Sequence, residues 1–472
     1  MYRLYPRKLP FLLNADRLFR ETVLTTFPAV SLANNTHSAL TISNPHTSVS
    51  DIIRSGLQSV LGKQTGLYFV SQMMNAALGL AVTAFLTRTL SVTDFGSYSF
   101  VVSVILFVAV FFDFGLGAAG TRLMALQNDG DQLRYRSGVL IAASLLIGLA
   151  FTAIFFGMSF LVDPIFKTTL LRVFLIVSPL VLVFPLQETI ASACKGANKI
   201  AFLSLFVILP RGIYLILLAL SVWLGPMSLK YALIAMILGI LLSDIIAIFY
   251  LKPTLGNWKR EFASLIREVR EFGKDIYYGR MIDGLTNGID KMLITFFFGV
   301  IPVGFYSIAL MMTTPIGMLS RSLGTSAYKQ FTRTSRISKK ILVGNFIWCF
   351  TGTLLLLLLC EILIPLFFTD KYAAALGVLP YLAIGSALSG LNVPYHTFLS
   401  AQRQGRSIKI MSISTSSLFV LLSVILIPYY SVYGAAIAIV CTYGLNLIMN
   451  LYYYHLYIAL HGDVRKPHSG IV

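Results

Sequence analysis

The chain has 472 residues, of which 57% are apolar, 13% aromatic and only 12% charged, against about 25% charged in a soluble domain. With a mean hydropathy of +0.79, these values exclude a soluble enzyme or a disordered scaffold and leave an all-α integral membrane protein with room for about twelve spans of ~20 residues. A net charge of +18 would suggest nucleic acid in a soluble protein, but in a membrane protein the same Lys and Arg report topology, and no nucleic-acid partner is expected.

Residues 1–63 differ from the rest. They hold seven basic and three acidic residues, and residues 22–50 carry eleven Ser or Thr. No continuous apolar stretch marks a secretory signal. A transit peptide is one reading; a disordered cytoplasmic tail or a start codon assigned too early is preferred. Apolar runs then predict spans near 65–88, 95–118, 137–161, 169–191, 200–224, 229–251, 275–299, 302–323, 341–367, 375–400, 407–428 and 433–457. With the N-terminus in the cytoplasm, 29 of the 37 Lys and Arg fall in cytoplasmic segments. Five (Arg88, Lys167, Arg172, Lys230 and Lys371) fall in outer loops, and three (Arg211, Arg280 and Lys291) within spans. That asymmetry places both termini inside. The predicted organisation is a tail (1–63), a six-helix lobe (64–251), a cytoplasmic linker (252–274), a second six-helix lobe (275–458) and a cytoplasmic tail (459–472). The basic linker reads either as an amphipathic helix on anionic headgroups or as a solvated connection. Cys194, Cys349, Cys360 and Cys441 lie in or beside apolar runs without a C-x-x-C pair. Buried free thiols are expected, with no metal site and no cofactor.

The chain repeats weakly at an offset of 208. Phe95-Gly96-Ser97-Tyr98-Ser99 after the first span matches Val303-Gly304-Phe305-Tyr306-Ser307 after the seventh, and Ala193 aligns with Ala401 before two basic loops. An even number of spans per copy makes these parallel repeats about an axis along the membrane normal, a transporter architecture with the substrate path between lobes.

The seventh span is the most polar. On a continuous helix of about 100° per residue, Arg280, Asp283, Asn287, Asp290 and Lys291 occupy one wedge of about 100°. Facing lipid, each central charge would cost ~2.5–3.5 kcal/mol. Subtracting the offset turns Arg280 into Gln72, Asp283 into Asn75, Asn287 into Gly79 and Lys291 into Thr83. The pattern predicts a central cavity, polar on the first-lobe wall and charged on the second. Packing ion pairs, Arg280–Asp283 and Asp290–Lys291, are the alternative. Arg211, beside Pro210 near mid-span, reads as an anion site or as one half of a buried pair with Asp244 or Glu188. Asp244 and Glu361 are intramembrane acids, either cation or proton sites or structural partners of a basic residue. Asp113 and Arg122 flank Gly115 and Gly117 as a cytoplasmic gate pair or as an interfacial cap. His396, beside Pro394, reads as structural. No phosphate-binding G-x-x-x-x-G-K-[ST] loop occurs, and no outer loop is large enough to hold a glycan-polymerising active site, so a membrane enzyme is disfavoured.

Leu86–Ser99 (LTRTLSVTDFGSYS), Phe112–Ala119 (FDFGLGAA) with Arg122, Ile289-Asp290-Lys291, and Val303-Gly304-Phe305-Tyr306-Ser307-Ile308-Ala309 resemble the polysaccharide-export flippases of the Wzx type, within the MATE-like exporter superfamily. The resemblance spans about residues 60–458, and residues 1–59 depart from it. It implies two pseudo-symmetric six-helix bundles around a central, laterally open cavity in the inner membrane. It also implies movement of a polyprenyl-diphosphate-linked oligosaccharide to the outer leaflet for O-antigen, lipopolysaccharide or exopolysaccharide synthesis. Membrane lipids, a polysaccharide polymerase and glycosyltransferases would then be partners. Under it, Arg280, Lys291 and Arg211 would hold the diphosphate, and Gln72, Asn75 and Asn287 would contact sugar hydroxyls. Asp283, Asp290, Asp244 or Glu361 would couple the cycle to an ion gradient. The competing reading, a cation-coupled drug or metabolite antiporter of the same superfamily, predicts an acidic cavity instead.

Overall fold

The computed structural model describes residues 60–125, 130–284, 286, 288–332, 334–402 and 404–461. The two predicted tails fall wholly or almost wholly outside these residues, as do Asn287 and the side chain of Asp283. Within them the protein is built of helices: α1 (Val60–Thr89), α2 (Val92–Val110), α3 (Leu116–Ala125), α4 (Gly130–Phe166), α5 (Leu171–Val177) and α6 (Val183–Gly196). Then follow α7 (Ile200–Leu224), α8 (Leu229–Leu251), α9 (Trp258–Glu268), α10 (Lys274–Gly284), α11 (Ile289–Phe298), α12 (Val300–Phe331), α13 (Lys339–Phe368), α14 (Ala375–Ala401) and α15 (Gly405–His461). Ten helical runs among the described residues are long and apolar enough to cross a membrane, one of them the joined stretch Leu171–Gly196.

Local chemistry sets several boundaries. Ser91 caps α2, its hydroxyl oxygen accepting from the Asp94 amide at 3.1 Å while donating to the Asp94 carboxylate at 2.7 Å, which satisfies an orphan amide of the first turn. Ser228 caps α8 in the same way. The last two predicted spans form one run, α15, which turns at Ser431 (φ 53°, ψ −130°) just after Pro428. At 57 residues it is long enough for two crossings.

Three predicted spans are interrupted. The second ends at Val110; the chain then turns at Phe114 (φ 44°) and Gly115 (φ 74°) before α3. The fourth is divided into α5, a 3₁₀ turn at Ser178–Leu180 and α6, with Pro179 at the break. The seventh is the most consequential. α10 ends at Gly284 and α11 begins after Gly288, whose φ of +89° only glycine adopts without strain. The single polar wedge drawn on a continuous helix is therefore corrected: Arg280 belongs to α10, whereas Asp290 and Lys291 belong to α11.

Helices of the first half pack on one another (α1 on α7, α7 on α8, α3 on α6), as do those of the second (α12 on α14, α14 on α15). The halves meet where α2 crosses α12 and α1 touches α13. One apolar core draws on both: Val82, Leu86, Leu90 and Phe95 pack with Tyr306, Phe368, Tyr372 and Leu379. Phe95 and Phe305 both set their rings edge-on to Tyr372, and the Arg88 guanidinium donates to the Leu366 carbonyl. Outward-facing Leu146, Leu358 and Ile448 are each more than 60% exposed, an apolar exterior suited to lipid. Cys194, Cys349 and Cys360 are buried, Cys441 is exposed, and all four are free thiols.

Candidate substrate cavity

A concavity of about 660 Å³ lies mainly among helices of the first half and is bounded on one side by α10. Its volume is in the range of small-ligand sites. α1 contributes Tyr68, Gln72 and Asn75, spaced so that all three share one helix face. Gln72 donates to the Tyr68 hydroxyl at 2.8 Å. The turn between α2 and α3 contributes Asp113, α6 contributes Gln187 and Glu188, and α10 contributes Arg280.

Arg280 is the electrostatic centre. One guanidinium nitrogen stands 3.4 Å from Asp113 Oδ2 and 3.4 Å from Glu188 Oε1. Tyr277, one turn earlier, anchors α10: its hydroxyl donates to the Phe111 carbonyl at 2.9 Å and its ring lies against Phe114. The non-helical turn at 111–115 thus does two jobs, presenting Asp113 and receiving the helix that carries Arg280. The guanidinium is 43% exposed and Glu188 is 56% exposed, so these pairs are wet and individually weak, about 0–1 kcal/mol. A competing anion could take Arg280 at small cost.

The remaining expected site residues are placed as follows. Arg211 does not line the cavity; it donates to the Asn75 carbonyl at 2.6 Å and lies against Gly79, pinning α7 to α1. Its expected partners Asp244 and Glu188 do not contact it: Glu188 serves Arg280, and Asp244 is fully buried on α8. Neither oxygen of Asp244 has a hydrogen-bond partner among the described residues. Asp290 is buried and occupied, its two oxygens accepting from the Tyr306 hydroxyl at 2.6 Å and the Lys291 amide at 2.8 Å. Lys291 and Glu361 do not line the cavity, and Glu361 is exposed on α13. The Asp113–Arg122 pair is replaced: Asp113 holds Arg280, and Arg122 pairs with Glu268 of α9 at 2.9 Å.

The cavity is therefore not the cationic cradle expected from the sequence. One arginine faces two carboxylates, and the charged wall is shared by both halves. Gln187 and Tyr68 were missed, although Tyr68 stands four residues before Gln72, and Gln187-Glu188 is a polar pair within an apolar run just after Pro185. Along α1 the polar lining runs from Tyr68, near its start, to Asn75 at mid-helix. The opposite end is filled by the apolar core around Leu86, Phe95 and Tyr372.

The sequence profile described as polysaccharide biosynthesis protein matches residues 61–328. No curated protein matches. Among solved structures, the fold is similar to the lipid II flippase MurJ in an inward closed conformation (TM-score 0.67, 16% identity, 82% of this chain and 87% of that one). It is also similar to a multidrug resistance MATE family transporter of the MOP superfamily, in an inward-facing conformation (0.67, 13% identity, 85% and 100%) and in an outward-facing one (0.59, 13% identity, 84% and 94%). At such identities the likeness is one of fold: an all-α membrane architecture of two helical bundles around a central cavity.

Proposed function

The chain belongs to the polysaccharide biosynthesis protein family, and from that membership we propose that it is a flippase for polyprenyl-diphosphate-linked oligosaccharides, feeding the synthesis of a surface polysaccharide. Its place is the cytoplasmic membrane, with both termini inside, as the distribution of Lys and Arg argues. The observation that carries the reading is the lining of the cavity: a single weakly held arginine, Arg280, among the amides Gln72, Asn75 and Gln187 and the carboxylates Asp113 and Glu188. Amides and carboxylates are the groups that bind sugar hydroxyls, and a guanidinium is the natural partner of a phosphate. A charged sugar head cannot cross ~30 Å of hydrocarbon without such a path.

In the positive-inside orientation the cavity faces the cytoplasm. The diphosphate would draw Arg280 from Asp113 and Glu188, the oligosaccharide would lie along Tyr68, Gln72 and Asn75, and the prenyl chain would stay in lipid. Rocking of the two halves about the α2–α12 crossing would then open the opposite end. Of the intramembrane acids, Asp244 is the coupling candidate, because its carboxyl is buried without a hydrogen-bond partner among the described residues and Asp290 is already occupied. A polysaccharide polymerase and glycosyltransferases would act on either side of this step.

A second reading, the cation-coupled antiporter, draws support from the excess of carboxylate over cation around Arg280. Deleting the gene in its host separates the two. Loss of surface glycan, with intact lipid-linked repeat units held on the cytoplasmic side, is expected for the flippase. Normal glycan with altered tolerance to cationic drugs would move the function to the antiporter.

A further inference from the structure

We propose that the groove between α9 and the first turns of α4 is a second anion site, outside the transport cavity, that holds the phosphate of an anionic membrane lipid. This groove, about 690 Å³, is lined by Gln132 and Arg136 of α4 and by Arg260, Glu261, Ser264 and Arg267 of α9. Three guanidinium groups face one carboxylate, and that carboxylate is already committed. Glu261, buried, accepts from Arg136 Nε at 3.1 Å, and Arg136 also donates to the Leu123 carbonyl. Arg260 and Arg267 make no ion pair among the described residues, and both are exposed. They stand seven positions apart, two helical turns, so that both project along one edge of α9 with Ser264 between them.

The depth of the groove points to a lipid rather than a soluble anion. α4 has 37 residues, a length of about 55 Å, well beyond the ~30 Å hydrocarbon core. Its first turns, with Gln132 and Arg136, therefore stand at headgroup level. Beside the groove, Leu255 is 61% and Trp258 44% exposed, and Trp258 lies against Phe262. An exposed indole and an aliphatic residue next to unpaired arginines form an interfacial anchor: apolar groups toward the acyl boundary and cations toward phosphate. The fork of a guanidinium matches phosphate oxygens, and anionic lipids concentrate at the cytoplasmic surface, where the charge distribution places this face.

The test uses the full-length protein reconstituted in phosphatidylcholine vesicles containing a minority of phosphatidylglycerol, then extracted in mild detergent. Retained phosphatidylglycerol is counted by mass spectrometry. The wild type is expected to retain it and to lose it with rising salt. The double variant Arg260→Gln with Arg267→Gln is expected to bind about 30-fold more weakly, each arginine contributing about fivefold, while the double Lys variant keeps most of the retention. Thermal midpoint and elution confirm folding; if the Gln variant aggregates, Ser264→Glu places a carboxylate between the two arginines and makes the same comparison. Inorganic pyrophosphate, titrated calorimetrically, is the second arm. Unchanged lipid retention with pyrophosphate binding lost in the variant would keep the phosphate site and assign it a soluble ligand. If neither lipid nor pyrophosphate distinguishes wild type from variant, the site does not exist.

Discussion

Gly96 and Gly304 lie directly against each other: a Cβ on Gly304 would stand 3.4 Å from the Cα and the amide nitrogen of Gly96. They are the same position of the internal repeat, 208 residues apart. A residue that contacts its own copy marks a pseudo-two-fold axis, as at an isologous interface. The Gly-x-Tyr/Ser-bearing motif is thus the place where α2 and α12 cross, and the absence of side chains there is what lets the two backbones approach.

Substitutions at this crossing should therefore be asymmetric. A Cβ on Gly96 would fall 2.1 Å from the Val300 carbonyl oxygen, a backbone atom that cannot swing aside. Gly96→Ala is expected to cost about 1–3 kcal/mol through overpacking. Gly304→Ala, meeting only ordinary van der Waals distances, should cost under ~1 kcal/mol. Thermal unfolding in detergent measures both, and equal losses would contradict the crossing geometry.

Arg280→Ala should abolish glycan export while leaving membrane abundance unchanged, since its two 3.4 Å pairs are wet and worth about 0–1 kcal/mol. Lys291→Ala makes the comparison: the family resemblance also assigns Lys291 to the diphosphate, but it lies outside the cavity lining, and its loss should leave export in place. Surface glycan per unit of membrane protein is the readout. Normal export by Arg280→Ala would remove the diphosphate role from the cavity.

Tyr306→Phe leaves one oxygen of buried Asp290 without its 2.6 Å donor. The expected loss is about 1–3 kcal/mol, the penalty of an unsatisfied buried acceptor. The double variant Tyr306→Phe with Asp290→Leu should recover part of it, because removing both partners is less costly than removing one. No recovery in the double variant would mean that Asp290 has a role beyond this bond.

Asp244→Asn should leave the fold intact, since the carboxyl makes no hydrogen bond among the described residues, yet uncouple transport from the ion gradient. Transport by the purified protein in vesicles, with and without an imposed proton or sodium gradient, checks this. A variant that still responds to the gradient as the wild type does would move coupling to another acid.

The membrane class, the long apolar spans and the repeat were readable from the chain alone, because each rests on a local property. Twenty apolar residues are long enough to cross wherever they occur, charge asymmetry needs only a count, and Gly96 and Gly304 announce themselves by an offset. The polar face of α1 was legible for the same reason: Gln72 and Asn75 share one unbroken helix. The face of the seventh span was not, because α10 ends at Gly284 and the positive φ of Gly288 redirects everything after it. Partner choice was decided by tertiary structure as well. Arg280 meets Asp113 across 167 positions, Arg122 turns to Glu268 and Arg211 to the Asn75 carbonyl. A charge in a membrane protein must find some partner, which sequence makes evident; which one it finds depends on which helices are brought within a few ångströms by packing, and that distance is a property of the folded bundle alone.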